Sequence, residues 1–426
     1  MEYSSIELDH QRAGLMAVVL KFYFPGTGID LNPLTFLQCR VGACYNLDAL
    51  EPEKSKMASH SAIQVVDLKQ PLTIAQVPTI TPKANEIRVR VEWVPEAPLD
   101  VYQVDAGLMI NQYPHGLGDS ISGTVVEIGD GIEKFKIGDR VCGFVFHSEQ
   151  EKAQQVFVTA PEHLFAQIPA HVSSAAASTL PNNFCTAYFT LFEKLGVKLP
   201  WPLVNRETSE DAQSPIIIWG AAASVGQYAL QILKHWGYTN VIAVASPKHQ
   251  DKLLSLGARH VVDYRDTATA IDSIRSILSE QDNSGSIRAF DCVDSKTGSL
   301  IPLSKIVTKP GSTVAALLPV VVSSPDPQQP ETELAISFDV QGEAEWATGV
   351  KVQGVAVYAY EANAFLRDNL MPEILGGMLA QGAVQPNQYR EIQGDDLLTR
   401  AQKALDIMRS GTVSGERLVW KVWDER

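Results

Sequence analysis

The sequence predicts an α/β fold in two parts, and three features carry that reading. Pro215 to Gly226, reading PIIIWGAAASVG, sends four apolar residues into a small-residue turn and then a helical repeat marked by Tyr228, Ile232 and Leu233. Between Ile63 and Ile168 the chain instead breaks into short strand-like segments punctuated by proline and glycine, the pattern of a small β-barrel-like unit. A final strand, Arg417-Leu-Val-Trp-Lys-Val422, follows two helical stretches, so the end of the chain is expected to return and complete the first part.

Composition agrees. The 426 residues are 45% hydrophobic, enough for two cores. A formal net charge of −14 argues against nucleic acid as the main partner. Cysteines stand at 39, 44, 142, 185 and 292 without a CxxC pair, which excludes a cysteine-built structural zinc site and gives no support to a disulfide scaffold. A reducing, cytoplasmic setting is expected. The apolar run Leu15 to Phe24 is interrupted by Lys21 and too short to span a bilayer, so no membrane association is expected. Residues 1–56 read as a loosely ordered extension, with Met57 as an alternative natural start.

Taken in order, Ile63 to Asp67, Leu72 to Gln76 and Glu86 to Val94 are the first strands. In the third, Ile87, Val89 and Val91 alternate with charged neighbours as a half-buried strand requires. Pro98 to Tyr102 begins a helical turn. Gly116 to Gly123 leads into strand Thr124 to Ile128, and further strands are expected through Phe146, at Val156 to Thr159 and around Phe165 to Ile168. Helices at Ser173 to Leu180 and Thr186 to Leu195 precede an exposed insertion, Leu199 to Gln213. The second part alternates strands from Ile216, Val241 and His260 with helices 250–256 and Ala268 to Gln281. It continues through strand Ala289 to Asp294, a helix after Leu300, strand Ser312 to Leu317, an exposed loop Pro319 to Pro330 and a last sheet strand Gly354 to Tyr358. Helical segments Leu370 to Ala380 and Ala401 to Met408 lead to the final strand. The expected parts are 57–185, 186–358 and a returning segment 359–426.

The turn at Gly220, Ala221, Ala223 and Ser224, with Val225 and Gly226 opening the helix, carries the chemistry. Small residues let a diphosphate approach, and free N–H groups at the helix N-terminus stabilise its charge. It is not a strict GxGxxG, since alanines fill two of the three places when the pattern is aligned on Gly226. The next strand ends in Ala245 and Ser246, where an NAD site would place a carboxylate for the ribose hydroxyls. Ser246 can instead donate to a 2′-phosphate and Lys248 can supply the opposing charge. NADP(H) is the expected cofactor. Tyr264 and Arg265 follow the third strand, where a side chain could pack over the adenosine or reach the phosphate; ordinary surface residues are the alternative.

Four segments together resemble the medium-chain dehydrogenase/reductase superfamily: Gly129 to Val141, Gly220 to Gly226, Lys252 to Tyr264 and Ser414 to Val422. The likeness extends from Ala62 to Val422. Within it the chain is similar to the zinc-independent fungal group that includes trans-acting enoyl reductases working beside polyketide synthases, through Leu180-Pro-Asn-Asn-Phe-Cys-Thr-Ala-Tyr188 and the insertion before Ile216. The resemblance implies a GroES-like β-barrel-type catalytic domain closed by the C-terminal tail, a Rossmann domain between, and substrate in the cleft. It makes Asn182 and Thr186 candidates for the nicotinamide side; Leu317, at the end of its strand, is a further candidate cofactor contact, with core packing as the alternative.

The departures matter most. Zinc alcohol dehydrogenases carry a cysteine where this chain has Pro98, Leu99 and Asp100, and a glycine-histidine-glutamate motif where it has Gly118-Asp119-Ser120. Zinc needs three protein ligands, and Asp119 alone does not make them, so no metal is expected. Alcohol oxidation, which leans on a metal to lower the alcohol's pKa, is disfavoured. Reduction of an activated C=C bond asks less: hydride reaches the β-carbon, the carbonyl takes up negative charge, and a proton reaches the α-carbon. Tyr102 and Tyr188 are the candidate hydroxyl donors, with packed aromatics as the alternative. The expected function is NADPH-dependent reduction of a small enone or a carrier-linked enoyl group in secondary metabolism, with a polyketide synthase as a partner. A stand-alone quinone or small-enone reductase and a non-catalytic NADPH-binding protein are the alternatives. Monomer and homodimer both fit.

Overall fold

The strand Glu86–Pro95 is the pivot of the first domain in the computed structural model, which describes residues 58–203, 210–280, 285–324 and 334–423. Ile87, Val89 and Val91 are fully buried while Arg88 and Arg90 face outward, as strict alternation dictates. One edge of this strand pairs antiparallel with Ser120–Ile128. The other is shared by Phe157–Pro161 at its start and by Arg417–Lys421 at its end. The resulting seven-stranded sheet continues through Arg140–Phe144 and Phe165–Gln167, and Tyr389–Glu391 closes the far edge. A three-stranded sheet of Thr73–Pro78, Ser59–Val65 and His115–Gly116 stands beside it. The expectations for residues 1–56 lie outside the described residues.

The second domain is a six-stranded parallel sheet in the order His260–Val262, Val241–Val244, Ile216–Trp219, Arg288–Asp291, Thr313–Leu317, Lys351–Val355. This is the Rossmann order, with its switch point between Ile216–Trp219 and Arg288–Asp291. The continuous apolar runs have a direct cause. Ile216, Ile218, Val241 and Ala243 enter one core, and Ile217, Trp219, Ile242 and Val244 enter another on the opposite face. The architecture is thus α/β, with a GroES-like β-rich domain followed by a Rossmann-like domain.

Three elements differ from expectation. The helix expected from Thr186 begins at Pro181, because proline at the first turn costs no hydrogen bond, and it runs to Phe189 before a π-helical turn at Thr190–Lys194. The strand expected through Tyr358 ends at Val355, where its pairing with Leu317 ends, and Tyr358 lies in a 3₁₀ segment, Val357–Ala362. Part of the loop expected at Pro319 to Pro330 is a strand, Val320–Ser323, paired with Ala335–Ser337; its β-branched valines suit a pleated surface.

Candidate active site

A cavity of about 560 Å³ opens between helix Pro98–Ala106, the glycine turn at Gly118, the loop after Arg140–Phe144 and the segment Val357–Ala362. Asp119 and Tyr358 lie on its wall. Asp119 Oδ2 accepts from Asn182 Nδ2 at 2.5 Å and from the Tyr358 hydroxyl at 2.8 Å, while Oδ1 accepts from Ser120 Oγ at 3.0 Å. The network continues one helical turn along Pro181–Phe189, where Thr186 Oγ1 donates to Asn182 Oδ1 at 3.0 Å. Burial, then the charge of Asp119, pushes the Tyr358 phenol well above its ordinary range. A proton therefore stays on Tyr358.

Asp100 shares the same wall and is 1% exposed. Its Oδ2 accepts from the backbone N–H of Ala97 at 2.8 Å and its Oδ1 from that of Gly118 at 3.1 Å. Burial and the neighbouring Asp119 outweigh these bonds and push its pKa up to about 7. At the rim, His115 Nδ1 lies 2.9 Å from Glu149.

The turn after Ile216–Trp219 is built from backbone. Gly220 has φ +80°, and a Cβ there would meet Val293 Cγ2 at 2.5 Å. A Cβ on Gly226 would stand 2.7 Å from Ala221 Cα and from the Gly220 carbonyl oxygen, so only glycine lets the turn fold against the helix. Ala223 caps helix Ser224–His235 without a side-chain hydrogen bond. The first-turn amides of Ser224, Val225 and Gly226 have no carbonyl four residues back within the helix and point out of its N-terminus. Beyond the next strand, Ser246 is half-buried and Lys248 exposed, with no carboxylate between Val244 and Lys248.

The alcohol dehydrogenase GroES-like domain family matches residues 83–171 and the zinc-binding dehydrogenase family residues 224–317. The trans-enoyl reductase tazE of Aspergillus terreus is 32% identical over 219 residues, 49% of this chain and 70% of that protein. The trans-enoyl reductase himH of Aspergillus japonicus is 28% identical over 352 residues, 79% of this chain and 90% of that one. The chain belongs to the medium-chain dehydrogenase/reductase superfamily. The crystal structure of the CurK enoyl reductase shares its fold, with a TM-score of 0.64 at 18% identity over 85% of this chain and 99% of that one.

As a superfamily member, the chain distributes its sequence-derived candidates unevenly. Asn182 and Thr186 join the Asp119 network, and Leu317 ends its strand at the C-terminal edge of the sheet. Tyr102 is half-buried on helix Pro98–Ala106, and burial followed by the charge of Asp294 pushes it up to about 12. Its phenol therefore feels the Asp294 charge, and Tyr102 is not among the residues lining the cavity. Tyr188 is a correction. It is fully buried, donates to the Leu199 carbonyl at 3.0 Å and packs against Phe184, Phe192 and Trp236, so it is a core residue. Tyr264 is 44% exposed, and Arg265 pairs with Asp263 at 2.7 Å on the surface. Tyr358 and Asp100 were not among the candidates. The raised pKa of a buried carboxyl has no sequence signature, and nothing local marks Tyr358. Among the described residues no group of three or more His, Cys, Asp or Glu is placed to hold a metal ion, and no helix is long and apolar enough to cross a membrane.

Proposed function

We propose that this chain reduces an activated C=C bond with NADPH, acting in trans on enoyl thioesters of fungal secondary metabolism and without zinc. One observation carries the reading. At the cavity wall Asp119, Asn182 and Tyr358 spend their polar groups on one another, so they form a closed hydrogen-bonded floor instead of a ligand set with an open position. The names of tazE and himH support the enoyl substrate.

NADP(H) fits the residues present. Gly220 and Gly226 leave room for a diphosphate, the amides at 224–226 face it, and Ser246 with Lys248 receives a 2′-phosphate where no carboxylate opposes it. When bound, it supplies the hydride. The chain's own residues do the rest. Asn182 and Thr186 fix the nicotinamide side of the floor. Tyr358, whose one proton rests on Asp119, turns it to the carbonyl oxygen as that oxygen gains charge, and Tyr102, on helix Pro98–Ala106, is a second candidate hydroxyl. Asp100 holds a proton in the wall near neutral pH, available to the α-carbon through water.

The test follows NADPH consumption by the full chain with a chelator present, against pantetheine-linked enoyl thioesters, free enones and quinones. Turnover of the thioesters is the expected result. Activity confined to free enones or quinones would move the assignment to a stand-alone reductase. Loss of activity with chelator, restored by zinc, would overturn the closed-floor reading.

A further inference from the structure

The segment Val357–Ala362 leaves the Rossmann sheet with Tyr358 on the cavity, Tyr360 buried in the core and Glu361 beyond them. Glu361 is gripped by two histidines of the catalytic domain. Its Oε2 lies 2.5 Å from His147 Nε2 and its Oε1 2.5 Å from His163 Nε2. His147 is braced from behind by Glu151, 2.7 Å from Nδ1, and its ring packs on Phe146, which in turn packs on Tyr358. The Glu361 side chain is 19% exposed and the histidines 37% and 29%, so this is a partly shielded clasp that engages both oxygens of one carboxylate.

We propose that Glu361 is a positioning residue, whose clasp on His147 and His163 holds the Val357–Ala362 segment against the catalytic domain and so sets Tyr358 on Asp119. The proposal rests on the reading of Tyr358 and Asp119 as the reactive floor.

The clasp has a pH window. Hydrogen bonds to Glu151 and Glu361 push His147 up to about 9. Burial works against Glu361, but His147 and His163 hold it down at about 2. The other charged groups around it are Arg367 and Asp368 on helix Ala364–Asn369 and Lys134, itself paired with Glu373. The His147 contribution is complete below its ordinary value of 6.5 and is lost as pH rises through about 9. That of Glu361 is complete above 4.5 and is lost as pH falls through about 2.

Hydrogen–deuterium exchange of the full chain tests this without relying on catalysis. Relative to wild type, Glu361→Gln is expected to raise exchange in residues 357–362 on the order of tenfold near pH 6.5, while Glu373→Gln leaves that segment unchanged. After correction for intrinsic rates, wild type should lose protection there as pH passes about 9, and Glu361→Gln should not show that step. His163→Gln, which removes one arm, should give an intermediate rise and serves if Glu361→Gln folds poorly. With an active enoyl substrate, Glu361→Gln should lower kcat and leave the KM for NADPH in place. Unchanged exchange at 357–362 in both clasp variants would overturn the proposal. A wild-type enzyme silent on every enoyl substrate would instead overturn the proposed function, with the exchange result still deciding the clasp.

Discussion

The phosphate turn and the cavity floor are made by different means. At the phosphate turn the working groups are backbone amides, delivered by contiguous residues whose side chains matter mainly by being absent. At the floor they are side chains, and Asn182 and Tyr358 reach Asp119 from 63 and 239 residues away. A turn of amides tolerates alanine wherever a methyl group finds space, whereas a floor of side chains depends on each functional group. Substitutions at the turn should therefore act on cofactor affinity, and those at the floor on turnover.

The sharpest break of that contrast is Gly226→Val, which drives a side chain into Ala221 and the Gly220 carbonyl and should abolish NADPH binding by calorimetry. Retained affinity would mean that the turn does not hold the diphosphate. Tyr358→Phe should cost about 100-fold in kcat with NADPH affinity intact. Should affinity fall instead, the division of labour between turn and floor is wrong. Ser246→Asp restores a carboxylate at the ribose position and should shift the ratio of kcat/KM for NADPH over NADH by about tenfold or more toward NADH.

Asp100 connects the floor to stability. Its folded pKa of about 7 exceeds the ordinary 3.8, so the folded chain binds the extra proton between those values. Its contribution is therefore most favourable at low pH and declines as pH rises through about 7. Asp100→Asn should flatten this decline in denaturant titrations from pH 4 to pH 8; an unaltered slope would assign the titration elsewhere. The smallest effect belongs to Tyr188→Phe, which removes one buried hydrogen bond and should cost about 1 kcal/mol of stability without changing kcat. A drop in turnover would return Tyr188 to the chemistry.

What could be read in advance follows the same division. The strand Ile216–Trp219 is buried on both faces and therefore appears in sequence as an unbroken apolar run, and the turn after it is contiguous. The alternation in Glu86–Pro95 was equally plain. The start of helix Pro181–Phe189 was legible in principle, because Pro181 stands at its first turn, and placing it there puts Asn182 and Thr186 one turn apart on the same face. All of that helix except Asn182 is buried, so Tyr188 had no polar face to occupy. Tyr358 was beyond reach: its partner is fixed only when the segment leaving the Rossmann sheet folds back over the catalytic domain.

The strand Arg417–Lys421 also dictates an order of events during synthesis. Glu96, at the end of the central strand of the catalytic domain, receives a hydrogen bond from Trp420, 324 residues later. On the ribosome, every element of the Rossmann sheet emerges before the partner that finishes the catalytic sheet. The nucleotide domain can be complete while the end of strand Glu86–Pro95 still waits with an unpaired edge, exposed to chaperones or to neighbouring chains until Arg417–Lys421 emerges.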